Sequence, residues 1–275
     1  MDRAVVDGIT LEYEIAGTGE PVVLIHGALI ADSFRPLLVE PVLAHRYKLI
    51  VYHRRGYMGS SHTPGPVSIV RQAADCLALL RHLGVERAHI VGHSYGGAIA
   101  LQLTLDTQNV VHSLALLEPA LIVGATGQSY RDALALGQQR YRERTAAVVV
   151  DKFLQARFGA GYRTALDQVV PGAFTQAVAD ATTWFKLEIA AFLDWSFGEA
   201  EARRITQPVL VVLGSESNAL WPRFGETSRL LRTWLPDAKG FVLPGAAHGL
   251  QMQNPHGMAE ALADFYARHP IPGPN

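Results

Sequence analysis

The stretch His89-Ile90-Val91-Gly92-His93-Ser94-Tyr95-Gly96-Gly97 joins an apolar run to a segment rich in small residues, Ala98 and Ala100 among them. It has the form G-x-S-x-G between a strand pattern and a helix pattern, the context a nucleophile elbow requires. A serine there occupies a strained strand-to-helix turn, where flanking glycines relieve crowding. The turn lifts the hydroxyl toward a helix N-terminus, whose free N–H groups stabilise developing negative charge. Ser94 is therefore the candidate nucleophile.

On either side of this stretch, short apolar runs alternate with helical spacing. Leu11–Ala16, Val22–Ile25 and Tyr47–Tyr52 read as strands,. Ile69, Ala73, Cys76, Leu77, Leu80 and Leu83 recur at helical spacing before a stop at Gly84,. Strand Ala88–Val91, helix Tyr95–Asp106 and strand Ser113–Leu117 follow. This order makes βαβ units, which build a parallel sheet covered by helices on both faces. Residues 120–203 break the rhythm: their patterns are helical, and we read the β-prone Val148-Val149-Val150 as helix too. Strand Pro208–Leu213, helix Phe224–Leu235, strand Gly240–Leu243 and helix Pro255–Arg268 complete the pattern. The tail, Pro270 to Asn275, is too rich in proline to pack regularly.

The chain has 275 residues, of which 49% are apolar and 18% charged, with a formal net charge of −1. Disorder is excluded as the dominant state. The balanced charge gives no reason to expect nucleic acid or an anionic membrane as partner. The single cysteine, Cys76, forms no intrachain disulfide and reads as a small core residue,. No basic-then-apolar leader and no run of about 18 apolar residues is present, so a cytoplasmic protein is expected,. Phosphate-loop, dinucleotide and H-E-x-x-H metal motifs are absent, and no cofactor or metal is expected,.

Four features, taken in order, resemble the α/β-hydrolase fold superfamily along essentially the whole chain. They are His26-Gly27, Arg54-Arg55-Gly56-Tyr57-Met58-Gly59-Ser60-Ser61, the elbow at Ser94, and Gly245-Ala246-Ala247-His248. His53 departs from the pattern, standing where the family commonly has Asp, in a loop we read as structural. The resemblance implies an α/β-hydrolase core formed by residues 1–119 and 204–275, with a helical cap at 120–203. It also implies His248 as general base, because a serine hydroxyl is a poor nucleophile until an imidazole takes its proton. By the same resemblance the oxyanion hole uses the amides of Ala28 and Tyr95, while His26 shapes the oxyanion loop and His93 lines the elbow.

The third triad member stays open at this level. The family's usual acid position falls on Ser217, in Gly214-Ser215-Glu216-Ser217-Asn218. Glu216 is one residue early, and Glu118 directly follows the strand Ser113–Leu117, where haloalkane dehalogenases and some other branches carry their acid. A third possibility is that no conventional acid serves. We take Glu118 as the acid, since a glutamate leaving an apolar strand at the sheet's C-terminal edge is costly to leave unpaired.

The expected activity is cofactor-free serine hydrolysis of a small, mostly apolar ester, lactone or thioester. Carbon–carbon bond cleavage, non-hydrolytic chemistry and a ligand-receptor role on the same fold are the alternatives. Trp184 and Phe185, within the aromatic-rich 184–197, either line the substrate cavity or hold the cap to the core.

Overall fold

The computed structural model describes residues 1–273; of the tail, Pro274 and Asn275 lie outside the described residues. Eight strands form one sheet: β1 (Asp2–Val6), β2 (Ile9–Ala16), β3 (Glu20–Ile25), β4 (Tyr47–Tyr52), β5 (Ala88–His93), β6 (Val111–Leu117), β7 (Val209–Gly214) and β8 (Ala238–Leu243). Their order across the sheet is β1-β2-β4-β3-β5-β6-β7-β8, and only β2 runs against the others.

The sheet is buried on both faces because its strands are apolar at odd and even positions alike. Val23, Ile25, Ile50, Ile90, Leu114 and Val211 join one apolar cluster; the alternating Val22, Leu24, Val51, Val91, Ala115 and Val212 join the other. Period-two geometry sends neighbours to opposite faces, so a continuous apolar run needs helices on both sides.

Those helices include the short α1 (Arg35–Leu38) and α2 (Pro41–Ala44), then α3 (Ile69–His82) and α4 (Tyr95–Asp106). The side chain of Ser68 caps α3 by accepting from the Arg71 amide, and Leu79, Leu80 and Cys76 face the sheet,.

Between β6 and β7 the described residues contain no strand. Helices α5 (Gly127–Glu143), α6 (Ala146–Phe158), α7 (Tyr162–Val169) and α8 (Ala173–Ala179) lead to a π-helical stretch, Thr183–Glu188. Then come α9 (Ile189–Asp194) and α10 (Glu199–Ala202). The Val148-Val149-Val150 triplet lies within α6, with Val149 and Val150 buried. After β7 follow α11 (Ser217–Leu220), α12 (Arg223–Trp234), α13 (Leu250–Gln253) and α14 (Pro255–Arg268). Asn254 caps α14 at its N-terminus, with Pro255 in its first turn,.

One strand differs from the sequence reading. β1 pairs with β2 at the sheet edge, although only Ala4 and Val6 of its five residues are buried, too weak an alternation to announce a strand. In the tail, the Ile271 amide donates to Glu20 at 3.1 Å, so this irregular stretch is tied to the sheet. Among the described residues, no helix is long and apolar enough to cross a membrane.

Candidate active site

The site forms at the C-terminal ends of β3, β5, β6 and β8, the edge where open α/β sheets gather their functional loops. Ser94 sits between β5 and α4 with φ +53° and ψ −118°, a conformation that L side chains rarely adopt,. Its backbone is fixed from three sides: its amide donates to Leu117 O at 2.9 Å, and its carbonyl accepts from Gly97 at 2.9 Å and from Ala120 at 2.8 Å. Two neighbours must be glycine for lack of space. A Cβ at Gly96 would meet Ile25 O at 2.1 Å, and one at Gly92 would meet Gly96 O at 2.5 Å,.

Glu118 leaves β6 with a similarly uncommon φ of +44°. Its Oε1 accepts from the Gly214 amide at 2.8 Å, and its Oε2 lies 2.6 Å from His248 Nδ1. On the other side of the ring, His248 Nε2 lies 3.0 Å from Ser94 Oγ. An Nδ1 proton donated to Glu118 leaves the Nε2 lone pair facing the serine hydroxyl. Glu216 is exposed, and its side chain takes no part in these contacts. Ser217 is buried at 0% exposure.

Burial shapes the charges here. It lifts Glu118 above the ordinary carboxylate value, an effect partly opposed by the Gly214 amide. Burial also holds His248 well below the usual histidine value, helped by the guanidiniums of Arg223 and Arg157,. The imidazole is therefore neutral at neutral pH, the form a base requires. His93 is pushed down to about 3 by burial and by the neighbouring His248. Its Nε2 donates to the His248 carbonyl at 2.8 Å and so holds the histidine loop.

The loop after β3 approaches Ser94 closely: a Cβ at Gly27 would lie 3.1 Å from Ser94 Cβ. His26 Nδ1 donates to Gly27 O at 2.8 Å, and His26 Nε2 accepts from the Arg54 amide at 3.0 Å. The Arg54 side chain then donates to His26 O at 3.1 Å and to Gly27 O at 2.9 Å. Ala28 lines a small cavity of about 20 Å³ over Ser94, together with His93, Phe153, Arg157 and His248. The amides of Ala28 and Tyr95 have no backbone acceptor among the described residues.

The geometry also brings in residues that the sequence reading does not single out. Phe224 stacks on the His248 ring, with centroids 4.5 Å apart. The His248 amide donates to Arg157 O at 3.3 Å, which joins α6 to the histidine loop. Beneath the elbow, the 0%-exposed carboxylate of Glu188 accepts from Arg54, from Tyr57 Oη at 2.7 Å and from Gln72 Nε2 at 3.0 Å. None of these pairings leaves a sequence signal, since Glu188 lies 134 residues from Arg54. His53 bridges Glu12 and Asp32 at 3.1 and 3.0 Å, away from Ser94.

The aromatic-rich stretch divides its work. Trp184, 1% exposed, packs edge-on against Tyr95 and Phe153 and lines neither cavity near the site. Phe185 stacks on Tyr141 and also lines a larger cavity of about 340 Å³ bounded by α5, α6 and Trp221. Phe153 and Arg157 border both this cavity and the small one over Ser94.

Residues 20–255 match the family model of the alpha/beta hydrolase fold. The chain belongs to that family. This α/β hydrolase is 28% identical over 261 residues to a putative carbamate hydrolase, RutD, of Azorhizobium caulinodans, covering 93% of this chain and 94% of that one. It is 25% identical over 273 residues to a 2-hydroxy-6-oxo-6-(2'-aminophenyl)hexa-2,4-dienoic acid hydrolase of Metapseudomonas resinovorans, covering 95% and 89%. Among solved structures, a thermophilic esterase from Thermogutta terrifontis superimposes with a TM-score of 0.83 at 20% identity, over 98% of this chain and 100% of the other. The enol-lactonase from Burkholderia xenovorans LB400 gives 0.80 at 22%, over 97% and 100%. The α/β hydrolase is thus an enzyme of the hydrolase class, similar to proteins that act on small molecules.

Proposed function

We propose that this α/β hydrolase is a cofactor-free serine hydrolase of the cytoplasm, acting on a small, mostly apolar ester, lactone or thioester. The observation that carries the reading is the unbroken line from Ser94 Oγ to His248 Nε2 at 3.0 Å and from His248 Nδ1 to Glu118 Oε2 at 2.6 Å. In this reading Ser94 Oγ attacks the acyl carbonyl carbon while His248 Nε2 takes the hydroxyl proton. Glu118 holds the useful tautomer and stabilises the imidazolium without itself becoming protonated. The amides of Ala28 and Tyr95 receive the oxyanion. His248 then returns its proton to the leaving group, and the acyl-enzyme is opened by a water that His248 deprotonates in turn.

Residues 120–203 serve as a cap that shapes substrate choice. In support, Phe153 and Arg157 of α6 border the cavity over Ser94 and also the larger, mostly apolar one beyond it,. A fluorophosphonate probe tests the nucleophile: it should label the wild type and not Ser94→Ala, with p-nitrophenyl acetate turnover abolished in parallel. Labelling that persists in Ser94→Ala excludes Ser94.

A further inference from the structure

Two guanidinium groups stand near His248 with no carboxylate to meet them. Arg223 is 2% exposed, and its Nε and Nη1 have no hydrogen-bond partner. Its guanidinium carbon lies 3.8 Å from the Tyr130 ring centroid and 5.0 Å from that of Trp221. Arg157 borders both cavities. One of its nitrogens donates to Phe153 O at 2.9 Å, and its guanidinium carbon lies 5.4 Å from the same Trp221 ring.

Arg157 is half-buried and Arg223 fully buried, and the chain treats its other buried arginines differently. Arg54 is paired with Glu188, and Arg55 with Asp75 at 2.7 Å. Arg157 and Arg223 form no ion pair among the described residues. Glu118, an acid whose charge reaches Arg223, has its oxygens engaged by Gly214 and His248. Burial holds both guanidiniums below the ordinary arginine value, Arg157 down to about 9; a guanidinium keeps its charge in a folded protein.

A charge taken out of water without a partner is unfavourable, and an incoming anion relieves it. The guanidinium fork matches a carboxylate, and the indole and phenyl rings beside it limit its contact with water,. Beside Arg157, Leu134, Val149, Phe185 and Ile189 offer an apolar wall. We propose that Arg157, with Arg223 reinforcing the positive field, binds a carboxylate on the substrate, so that the enzyme acts on an apolar acyl compound with one anionic end. The reaction half of this inference rests on the serine-hydrolase reading; the binding half does not.

Two p-nitrophenyl esters of one chain length test the first half: the neutral hexanoate, and the adipate hemi-ester with its free carboxylate. Wild type should favour the hemi-ester about ten- to hundredfold in kcat/KM, mostly through KM, the range of charge-assisted hydrogen bonds. Arg157→Gln should erase that ratio, and Arg157→Lys should keep part of it. If Arg157→Gln does not fold, Arg157→Lys and Arg223→Met report on the same ratio, each lowering it.

The second half needs no turnover. Ser94→Ala should bind 4-phenylbutyrate at least about tenfold more tightly than 4-phenylbutan-1-ol, and Arg157→Gln added to it should level the two. An active enzyme that handles both esters alike, with Ser94→Ala binding both ligands alike, overturns the carboxylate site and leaves the serine-hydrolase reading standing. Carboxylate-selective binding by a protein that neither turns over the esters nor reacts with fluorophosphonate upholds the site and overturns the reaction.

Discussion

On the sheet side of the cleft, Ser94, Glu118 and His248 are held by directional bonds, whereas residues 120–203 add two backbone bonds, Ala120 N to Ser94 O and His248 N to Arg157 O, and otherwise line the cleft with rings. The amides of Ser94 and Glu118 donate to Leu117 O and Val212 O at 2.9 and 3.2 Å, and His93 grips the His248 carbonyl. Across the cleft, Trp184 touches Tyr95 edge-on, Phe153 touches Trp184, and the Phe158 ring lies 6.3 Å from that of His248. Hydrogen bonds fix an atom to a few tenths of an ångström and weaken steeply off-axis. Ring contacts accept volume-conserving exchange at small cost. In the proposed function one wall would hold the chemistry still, and the other would change what is admitted.

The contrast between the two walls is tested hardest at Ser94. Ser94→Ala should lower kcat by about 10⁴ or more, because serine and histidine act as a unit, with an unchanged melting temperature. Turnover of p-nitrophenyl acetate and a thermal melt check both parts. Next comes Glu118→Gln, expected to reduce kcat by at least about 10² by presenting an N–H where the imidazole needs an acceptor. Glu216→Gln, exposed and uninvolved, should cost less than about tenfold. A larger loss at Glu216 than at Glu118 would reverse the assignment.

The helical wall should respond in selectivity and stability instead. Phe185→Ala should change relative kcat/KM among acyl chain lengths by about 1–3 kcal/mol, the worth of a methylene-sized fit in an apolar pocket. Trp184→Ala should lower stability by about 3–5 kcal/mol, as fully buried aromatics do. Measured by a chain-length series and by urea unfolding, a uniform rate loss in Phe185→Ala would sink the division between the two aromatics. The smallest effect concerns pH. His248 is neutral down to a depressed value, so kcat/KM should hold at about pH 6, where an ordinary histidine is mostly protonated, and fall only below it. Arg223→Met removes a cation that disfavours imidazolium, so the acid limb should move to higher pH; an unmoved limb would mean that this charge is not felt at the ring.

Local signals carry most of the sheet and the loops of the site. Val22–Ile25, Tyr47–Tyr52 and the glycines around Ser94 are short-range patterns, and strand ends in a parallel sheet necessarily converge on one edge. Which carboxylate meets His248 is not legible in the same way, since it depends on how β6 and β7 sit side by side: Gly214 of one donates to Glu118 after the other. The edge strand β1 leaves little trace because only one face of a five-residue run is buried. Arg157, Phe153 and Phe224 are invisible for a related reason. Helical patterns, in 120–203 and in α12 alike, say which residues share a face, not which face meets the cleft,.

The carboxylate of Glu188 matters to anyone wishing to shorten the protein. It is supplied by the helical stretch but sits underneath the sheet-side loop, against Arg54, Tyr57 and Gln72. Excising 120–203 would strip the Arg54 guanidinium, 1% exposed in the intact protein, of its counter-ion directly behind His26 and Gly27, a defect that costs about 3–5 kcal/mol wherever the charge stays covered. A trimmed chain should therefore refold poorly however well the gap is bridged. Replacing Arg54 by Met in the same trimmed chain should recover part of the loss, so a minimal version of this enzyme has to be redesigned from beneath its His26-Gly27 loop, not merely cut from above.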